Sequence, residues 1–247
     1  MPIPSHASVP ERLRNELKRL KREGRTKLEL SVTNSYPHID QPVDLAVRLQ
    51  QFDPLCIWLP VQFERVAIWR NDGSGASTKM DVITEPNGGA TVKELYSDAA
   101  DLTYYAEYTP PSNRPLMGSH SNSVTIKARI GTTLTLEWPA KDRVCEDLRC
   151  CGPLRALLSD QYHNGVEGKE ITFTAHWCDS KGDSGTTQIL KLQSDSSGFI
   201  SQTWTHYQLT GDYERWYDRI RAEFAGDDVY HATDSGWALA TRKVRTF

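Results

Sequence analysis

With 247 residues the chain is long enough for two domains of roughly 100 residues each, and a hydrophobic content of 38% fits thin layered domains with much exposed surface. A formal net charge of −3 gives no whole-chain case for nucleic acid, and no apolar run approaches the roughly 20 residues that span a bilayer. The opening residues Met1 to His6 carry neither a basic n-region nor an apolar h-region, so no Sec signal peptide is expected.

The first element expected is a helix over residues 5–25, within an arm assigned to residues 1–25. Ser8 and Glu11 have capping-box spacing, and Pro10 is tolerated in a first helical turn. Val9, Leu13, Leu17 and Leu20 make one apolar stripe, and Gly24 offers a left-handed stop after it. The rest is basic: seven Lys or Arg against three Glu between Glu11 and Arg25. Such a stripe either packs on the following domain or docks into a protein partner, with Leu13, Leu17, Leu20, Arg14, Lys18 and Lys21 as the contact residues.

Residues 26–130 read as a first β-sandwich. Its seven short strands are expected at Lys27–Val32, Val43–Gln50, Phe63–Trp69, Lys79–Thr84, Ala90–Leu95, Thr103–Tyr108 and Asn122–Arg129, separated by Gly-rich turns. Trp69, Tyr104 and Tyr108 are expected in the core. The connection Asp53 to Pro60 is apolar where exposure is costly, and marks Ile57, Trp58 and Leu59 as candidate contact residues. The link at residues 128–133 is short and holds no Ser/Pro tract, so a stiff junction is expected.

Residues 131–247 read as a second sandwich with a Cys-containing insertion at 139–168 and a short helix near Pro153–Tyr162. Cys145, Cys150 and Cys151 lack the paired Cys-x2-Cys spacing of a zinc ribbon; with Cys178 they read either as disulfide partners or as buried thiols. The two halves answer each other in order. Leu28–Val32 answers Leu134–Glu137, Val43–Leu49 answers Glu170–Trp177, Gly88–Val92 answers Ser197–Ile200, Ala106–Tyr108 answers Ala222–Phe224, and Ser123–Ala128 answers Gly236–Ala240. In the last strand pair, Ile220, Ala222 and Phe224 fall on one face and Arg219, Arg221 and Glu223 on the other.

The run Thr210-Gly-Asp-Tyr213, Ile220-Arg-Ala-Glu-Phe-Ala-Gly-Asp-Asp-Val-Tyr230 and Ala232-Thr-Asp-Ser235 resembles bacterial and archaeal immunoglobulin-like repeats. The resemblance covers about residues 170–240 best and residues 28–129 less closely. It implies an all-β fold: two tandem immunoglobulin-like β-sandwiches, here preceded by an N-terminal amphipathic helix. Members of that family act as spacers, adhesive domains and virion decorations, and the resemblance carries over no catalytic residue.

No Gly-x-Ser-x-Gly elbow, P-loop, dinucleotide fingerprint or His-Glu-x-x-His is present, so no enzyme activity and no cofactor are expected. His176 and Cys178 alternate on one strand face, which alone does not make a dyad. Asp227 and Asp228 lie in a turn where carboxylates usually accept backbone N–H groups, leaving calcium a weak alternative and no metal site expected. Arg215, Arg219 and Arg221 beside Trp216 and Tyr217 read as cross-strand pairs rather than as a nucleic-acid surface. The expectation is therefore a non-enzymatic structural or adhesive protein held by its N-terminal helix in a larger assembly, through a protein partner or as a homo-oligomer. A chain that begins at Met1, lacks a signal and carries such domains points to a virion capsid or tail decoration, or to an extracellular surface appendage. The alternative is a carbohydrate- or cell-surface-binding module using exposed Trp204 or Trp237, with no membrane insertion.

Overall fold

The computed structural model describes residues 11, 24–53, 57–74, 77–137, 151–179, 181–205, 207–210 and 213–239; among them, the side chains of 151–153, 204, 205, 207–210, 213–216, 218 and 239 are not described. The expected helical stripe, with Leu13, Arg14, Leu17, Lys18, Leu20 and Lys21, lies outside the described residues. The chain divides into two compact units, Met1–Ala128 and Arg129–Phe247.

The first unit is built from β1 (Thr26–Val32), β2 (Val43–Phe52), β3 (Trp58–Pro60), β4 (Arg65–Asn71), β5 (Ser77–Ile83), β6 (Gly89–Glu94), β7 (Ala100–Tyr108), β8 (Ser119–His120) and β9 (Val124–Ala128). Strand β2 is the middle of one sheet, with β1 on one edge and β3 and β6 along the other. The second sheet runs β5-β4-β7, with β8 and β9 sharing the far edge of β7. All pairings are antiparallel, so the two-residue side-chain period sorts each strand into an inner apolar and an outer polar face. Leu28, Leu30, Val43, Leu45, Val47 and Leu49 are buried from one sheet, and Val66, Ile68, Tyr104, Ala106, Tyr108 and Ile126 from the other. Tyr104 and Tyr108 are thus core residues, as expected. Trp69 is not: with Val66 and Ile68 inside, its parity turns it outward, where it is half-buried.

The second unit repeats this plan with β10 (Thr132–Glu137), β11 (Cys151–Asp160), β12 (Glu170–Asp179), β13 (Ser184–Gln193), β14 (Phe199–Thr205), β15 (Tyr207–Thr210), β16 (Tyr213–Phe224), β17 (Thr233–Asp234) and β18 (Ala238–Leu239). One sheet is β10-β11-β14; the other is β13-β12-β16, with β15, β17 and β18 along the outer edge of β16. Leu134, Leu154, Ala156, Leu158 and Ile200 of the first sheet and Ile171, Phe173, Ala175, Ile220, Ala222 and Phe224 of the second form one buried cluster. This two-sheet core makes the fold an immunoglobulin-like sandwich.

Three expectations are corrected here. Residues 153–162 are no helix: Leu154, Ala156 and Leu158 alternate inward along β11, the second strand of the unit. Val43–Leu49 on β2 therefore corresponds to β11, not to Glu170–Trp177 on β12, whose counterpart is β4. Gly24 is no left-handed stop. Its φ is not positive, its N–H donates to the Pro115 carbonyl (2.7 Å) and its carbonyl accepts from the Met117 N–H (3.0 Å).

The same hydroxyl knot closes each unit where the chain crosses from one sheet to the other. Thr84 Oγ1 donates to the Val61 carbonyl (2.8 Å) and accepts from the Glu64 N–H (3.0 Å). Ser194 Oγ donates to the Val166 carbonyl (2.6 Å) and accepts from the Lys169 N–H (3.0 Å). Both residues are buried, Thr84 to 1% and Ser194 to 4% exposure. A second knot recurs at the last strand: Ser121 Oγ accepts from the Ala106 N–H (2.8 Å), and Ser235 Oγ from the Ala222 N–H (3.0 Å).

Removing a knot strands two buried backbone groups. Ser194→Ala is expected to destabilise the second unit by about 1–3 kcal/mol, and Thr84→Val the first unit by a similar amount. Native-state amide exchange, read separately over β12–β14 and β4–β6, checks that each loss stays in its own unit; unchanged protection would refute the role of the knots.

Candidate functional site

The described apolar side chains left in solvent are unevenly placed on the first unit. They are Tyr36, Phe52, Ile57, Trp58, Phe63, Ile83 and Leu95. Five of these seven, from Phe52 to Ile83, gather at one end of the sandwich. The end of β2, strand β3, the start of β4 and the end of β5 meet there, as the pairs Phe52↔Trp58 and Arg65↔Ile83 and the Thr84–Val61 bond require. Tyr36 and Leu95 lie at the opposite end.

Ile57 (50% exposed) and Trp58 (41%) stand at this tip, and Leu59 is half-buried between Trp58 and Pro60, so the structure brings the three sequence candidates together on the surface. Phe52 joins them, packing edge-on against Trp58 with ring centroids 5.3 Å apart. Such a pair is worth about 0.5–1.5 kcal/mol beyond its area and holds the indole in one orientation. Phe52, Phe63 and Ile83 were not singled out by sequence reasoning. Phe52 and Ile83 carried a signal in running to the end of an apolar strand.

Phe63 is the unusual member. At 68% it is the most exposed large apolar side chain described, and its φ of 57° is left-handed. A bulky residue there is an outlier, because Cβ crowds the following carbonyl. The second unit gives the internal comparison. Phe63 N–H donates to the Thr84 carbonyl (2.8 Å) just as Gly168 N–H donates to the Ser194 carbonyl (2.9 Å), and Gly168 has φ 70°. One backbone frame thus holds glycine in one unit and an exposed phenylalanine in the other.

Beneath Phe63 the tip is polar. Glu64 is 4% exposed and its carboxylate accepts from Arg114 Nε at 3.1 Å. Nearby, the buried Tyr108 hydroxyl has no hydrogen-bond partner. Burial, and then the Glu64 charge, push the Tyr108 phenol up to about 12.

The remaining sequence candidates lie apart from this tip. Trp237 is 40% exposed on the second unit, with the Arg221 and Arg219 guanidiniums standing 5.2 and 5.8 Å from its ring centre. Trp204 lies on β14 opposite Gly152, and its side chain, like that of Trp216, is outside the described ones. Asp227 serves its turn: one oxygen accepts from the Val229 and Tyr230 N–H groups (both 2.8 Å) and the other from Lys169 Nζ (2.7 Å). Burial raises its pKa, but the Lys169 and backbone hydrogen bonds outweigh that and hold it below the ordinary aspartate value. Among the described residues no group of three or more His, Cys, Asp or Glu is placed to hold a metal. His176 and Cys178 are half-buried on β12, with a bulge in the β12–β16 ladder just after His176. Cys56, Cys145 and Cys150 and the side chain of Cys151 are outside the description. Among the described residues no helix is long and apolar enough to cross a membrane.

Phe63→Gly is expected to raise the thermal midpoint of the first unit or leave it unchanged. It relieves about 1–2 kcal/mol of left-handed strain, against about 0.5–1 kcal/mol from the freer unfolded glycine. Gly168→Ala, with open space around its Cβ, should instead lower the midpoint of the second unit by about 1 kcal/mol in stability. A midpoint lowered by Phe63→Gly would contradict the strain.

Tyr108 also sets a pH dependence. The folded state keeps the phenol protonated above the value of 10 at which the unfolded chain releases it. Its contribution is therefore complete below pH 10 and is lost as pH rises towards 12. Tyr108→Phe should change the midpoint at pH 7 little, since the hydroxyl, though close enough to Glu64 for that carboxylate to raise its pKa, makes no hydrogen bond of good geometry. It should also flatten the fall of the midpoint between pH 10 and 12; an unaltered slope would count against it.

No protein-family model matches the chain, and no curated protein sequence matches it. Among solved structures it is similar to a tetra-tandem repeat in the extending region of a large adhesion protein, at 16% identity and TM-score 0.33 over 85% of this chain and 47% of that one. The chain thus spans about half of that repeat array. It is also similar to the D0-D1 domain of intimin, at 12% identity and TM-score 0.31 over 84% of this chain and 96% of that one. A two-domain fibronectin type-III segment of chicken tenascin aligns at 9% identity and TM-score 0.37 over 85% of this chain and 97% of that one.

Proposed function

We propose that the chain is a non-enzymatic adhesive or decorating module, two immunoglobulin-like sandwiches that dock on a protein surface through the apolar tip of the first unit. The observation that carries this is Phe63. A side chain held in left-handed backbone at a cost of about 1–2 kcal/mol, and left two-thirds exposed, does less for the isolated fold than the glycine at 168. Strain of this kind collects at contact sites. Around it, Phe52, Ile57, Trp58 and Ile83 supply the apolar centre of an interface, and Arg65, Arg114 and Glu85 a polar rim.

The likeness of residues 170–240 to bacterial and archaeal immunoglobulin-like repeats supports the same reading. The proposal extends it to an extracellular surface or virion setting, with the basic N-terminal arm as a second attachment to the assembly. Glycan binding through Trp237, which is 40% exposed, is the second reading.

The test is retention of the tagged full chain on cell-envelope or virion fractions of its own source, measured beside the double variant Phe63→Gly, Trp58→Ser and beside a chain lacking residues 1–25. Retention that the double variant loses while keeping its β-sheet spectrum supports docking through the tip. Loss only on truncation would assign attachment to the arm instead, and equal retention of all three would overturn both.

A further inference from the structure

The outer face of the β5-β4-β7-β8 sheet carries a second arrangement, distinct from the tip. On a solvated antiparallel face the outward positions are ordinarily polar. Here Trp69 and Tyr105 lie directly opposite each other across β4 and β7, their rings 16° from parallel with centroids 6.4 Å apart. Both are half-buried rather than covered. Trp69 Nε1 donates to Glu107 Oε2 at 3.1 Å, so the indole is fixed before any ligand arrives.

The next row along the sheet is Asp81, Ala67, Glu107 and His120, one residue from each of the four strands. Ala67 is the only small side chain in that row. Its methyl group lies between the longer Asp81 and Glu107 side chains and beside the Trp69–Tyr105 row, so the register places a notch there. Asp81 and Glu107 are two strand spacings apart, about 9.6 Å, which is room for one pyranose ring and its substituents. Both carboxylates have a nitrogen neighbour. Lys79 Nζ lies 3.3 Å from Asp81 and 5.8 Å from the Trp69 ring centre, and His120 Nε2 lies 3.9 Å from Glu107.

We infer that this face binds an uncharged saccharide. The C–H face of one sugar ring lies on the Trp69–Tyr105 pair, and its hydroxyls donate to Asp81 and Glu107. Ring C–H groups are drawn to the negative face of an aromatic ring. A carboxylate, which only accepts, is the natural partner for hydroxyl donors. The set favours a neutral ligand over an acidic glycan, which would face two carboxylates, and over a cationic peptide, which would meet Lys79 already at the indole. The arrangement has no counterpart in the second unit. There Thr172 and Thr174 stand at the positions of Ala67 and Trp69, and Arg221 stands at that of Tyr105.

The inference does not rest on docking through the tip, since the two sites share no residue. It is tested by titrating the full chain with cellobiose, maltose, laminaribiose and chitobiose, and with sialyllactose and a heparin tetrasaccharide as acidic counterparts, following amide and indole shifts by NMR. At least one uncharged disaccharide should bind saturably and shift the Trp69 indole resonance. Trp69→Ala and Glu107→Gln should each weaken that binding about tenfold or more, and Trp237→Ala should not change it. Ala67→Arg fills the notch while adding a side chain that both carboxylates can hold, so it should abolish binding in a folded chain. No shift with any uncharged sugar up to about 10 mM, binding of the acidic glycans only, or binding indifferent to Ala67→Arg would each overturn the assignment.

Discussion

Both units depend on a buried hydroxyl that takes the place of a backbone partner where the chain leaves one sheet for the other. At that crossover the ladder hydrogen bonds run out, and the freed carbonyl and N–H groups cannot be left dry. Thr84 and Ser194 each satisfy one of both kinds, at 1% and 4% exposure. Having closed the turn this way, the backbone must enter the left-handed region two residues beyond Val61 or Val166. Gly168 meets that demand without strain and Phe63 meets it with strain. The knot therefore connects core to surface: a turn held by a buried hydroxyl is stiff enough to present an aromatic ring in a conformation the ring itself disfavours.

Under the proposed docking, that rigidity makes the tip a better contact surface than its composition alone would. Phe52 and Trp58 restrain each other edge-to-face, Phe63 is held by its backbone, and Ile83 is fixed by the β4–β5 ladder opposite Arg65. For the Phe52–Trp58 pair and for the backbone at Phe63 and Ile83, less freedom remains to be lost on association, and that loss is a main opposing term in binding. The Glu64–Arg114 pair has the opposite character: Glu64 is buried and Arg114 reaches it from the exposed rim, so its value lies in not leaving Glu64 uncompensated.

The seven longer strands of the first unit were legible because their alternation is clean, whereas three-residue β3, read as part of the Asp53–Pro60 connection, and two-residue β8 are too short to show one. Leu45, Val47 and Leu49, or Tyr104, Ala106 and Tyr108, can face a core only from an extended chain. The same alternation contained the answer for Trp69, since Val66 and Ile68 assign it outward; bulk was allowed to outweigh parity. Strand β11 was hidden for a different reason. Pro153 and the cysteines at its start look like loop chemistry, and three inward residues are too few to show a period by themselves. With β11 missed, Val43–Leu49 was matched to β12, one strand along. Phe63 had almost no local signal, because nothing in a phenylalanine announces a positive φ. Only the superposition of residues 61–64 on 166–169 reveals it, and that requires the correct strand correspondence first.

The two copies also separate what the fold needs from what it leaves free. Their inner faces hold the same kinds of residue at matching positions: Tyr104, Ala106 and Tyr108 against Ile220, Ala222 and Phe224. Their outer faces keep Glu107 and Glu223 in register but otherwise part company. One carries an indole beside a phenol over an alanine notch; the other carries two arginines flanking an indole that comes from just before the last strand instead. Cross-strand pairing would be satisfied by either set, as by many others. A sheet that is indifferent to its outer residues offers no reason to concentrate aromatics around one small side chain. The concentration on the first unit therefore asks for a cause outside the fold, just as the strained ring at its tip does.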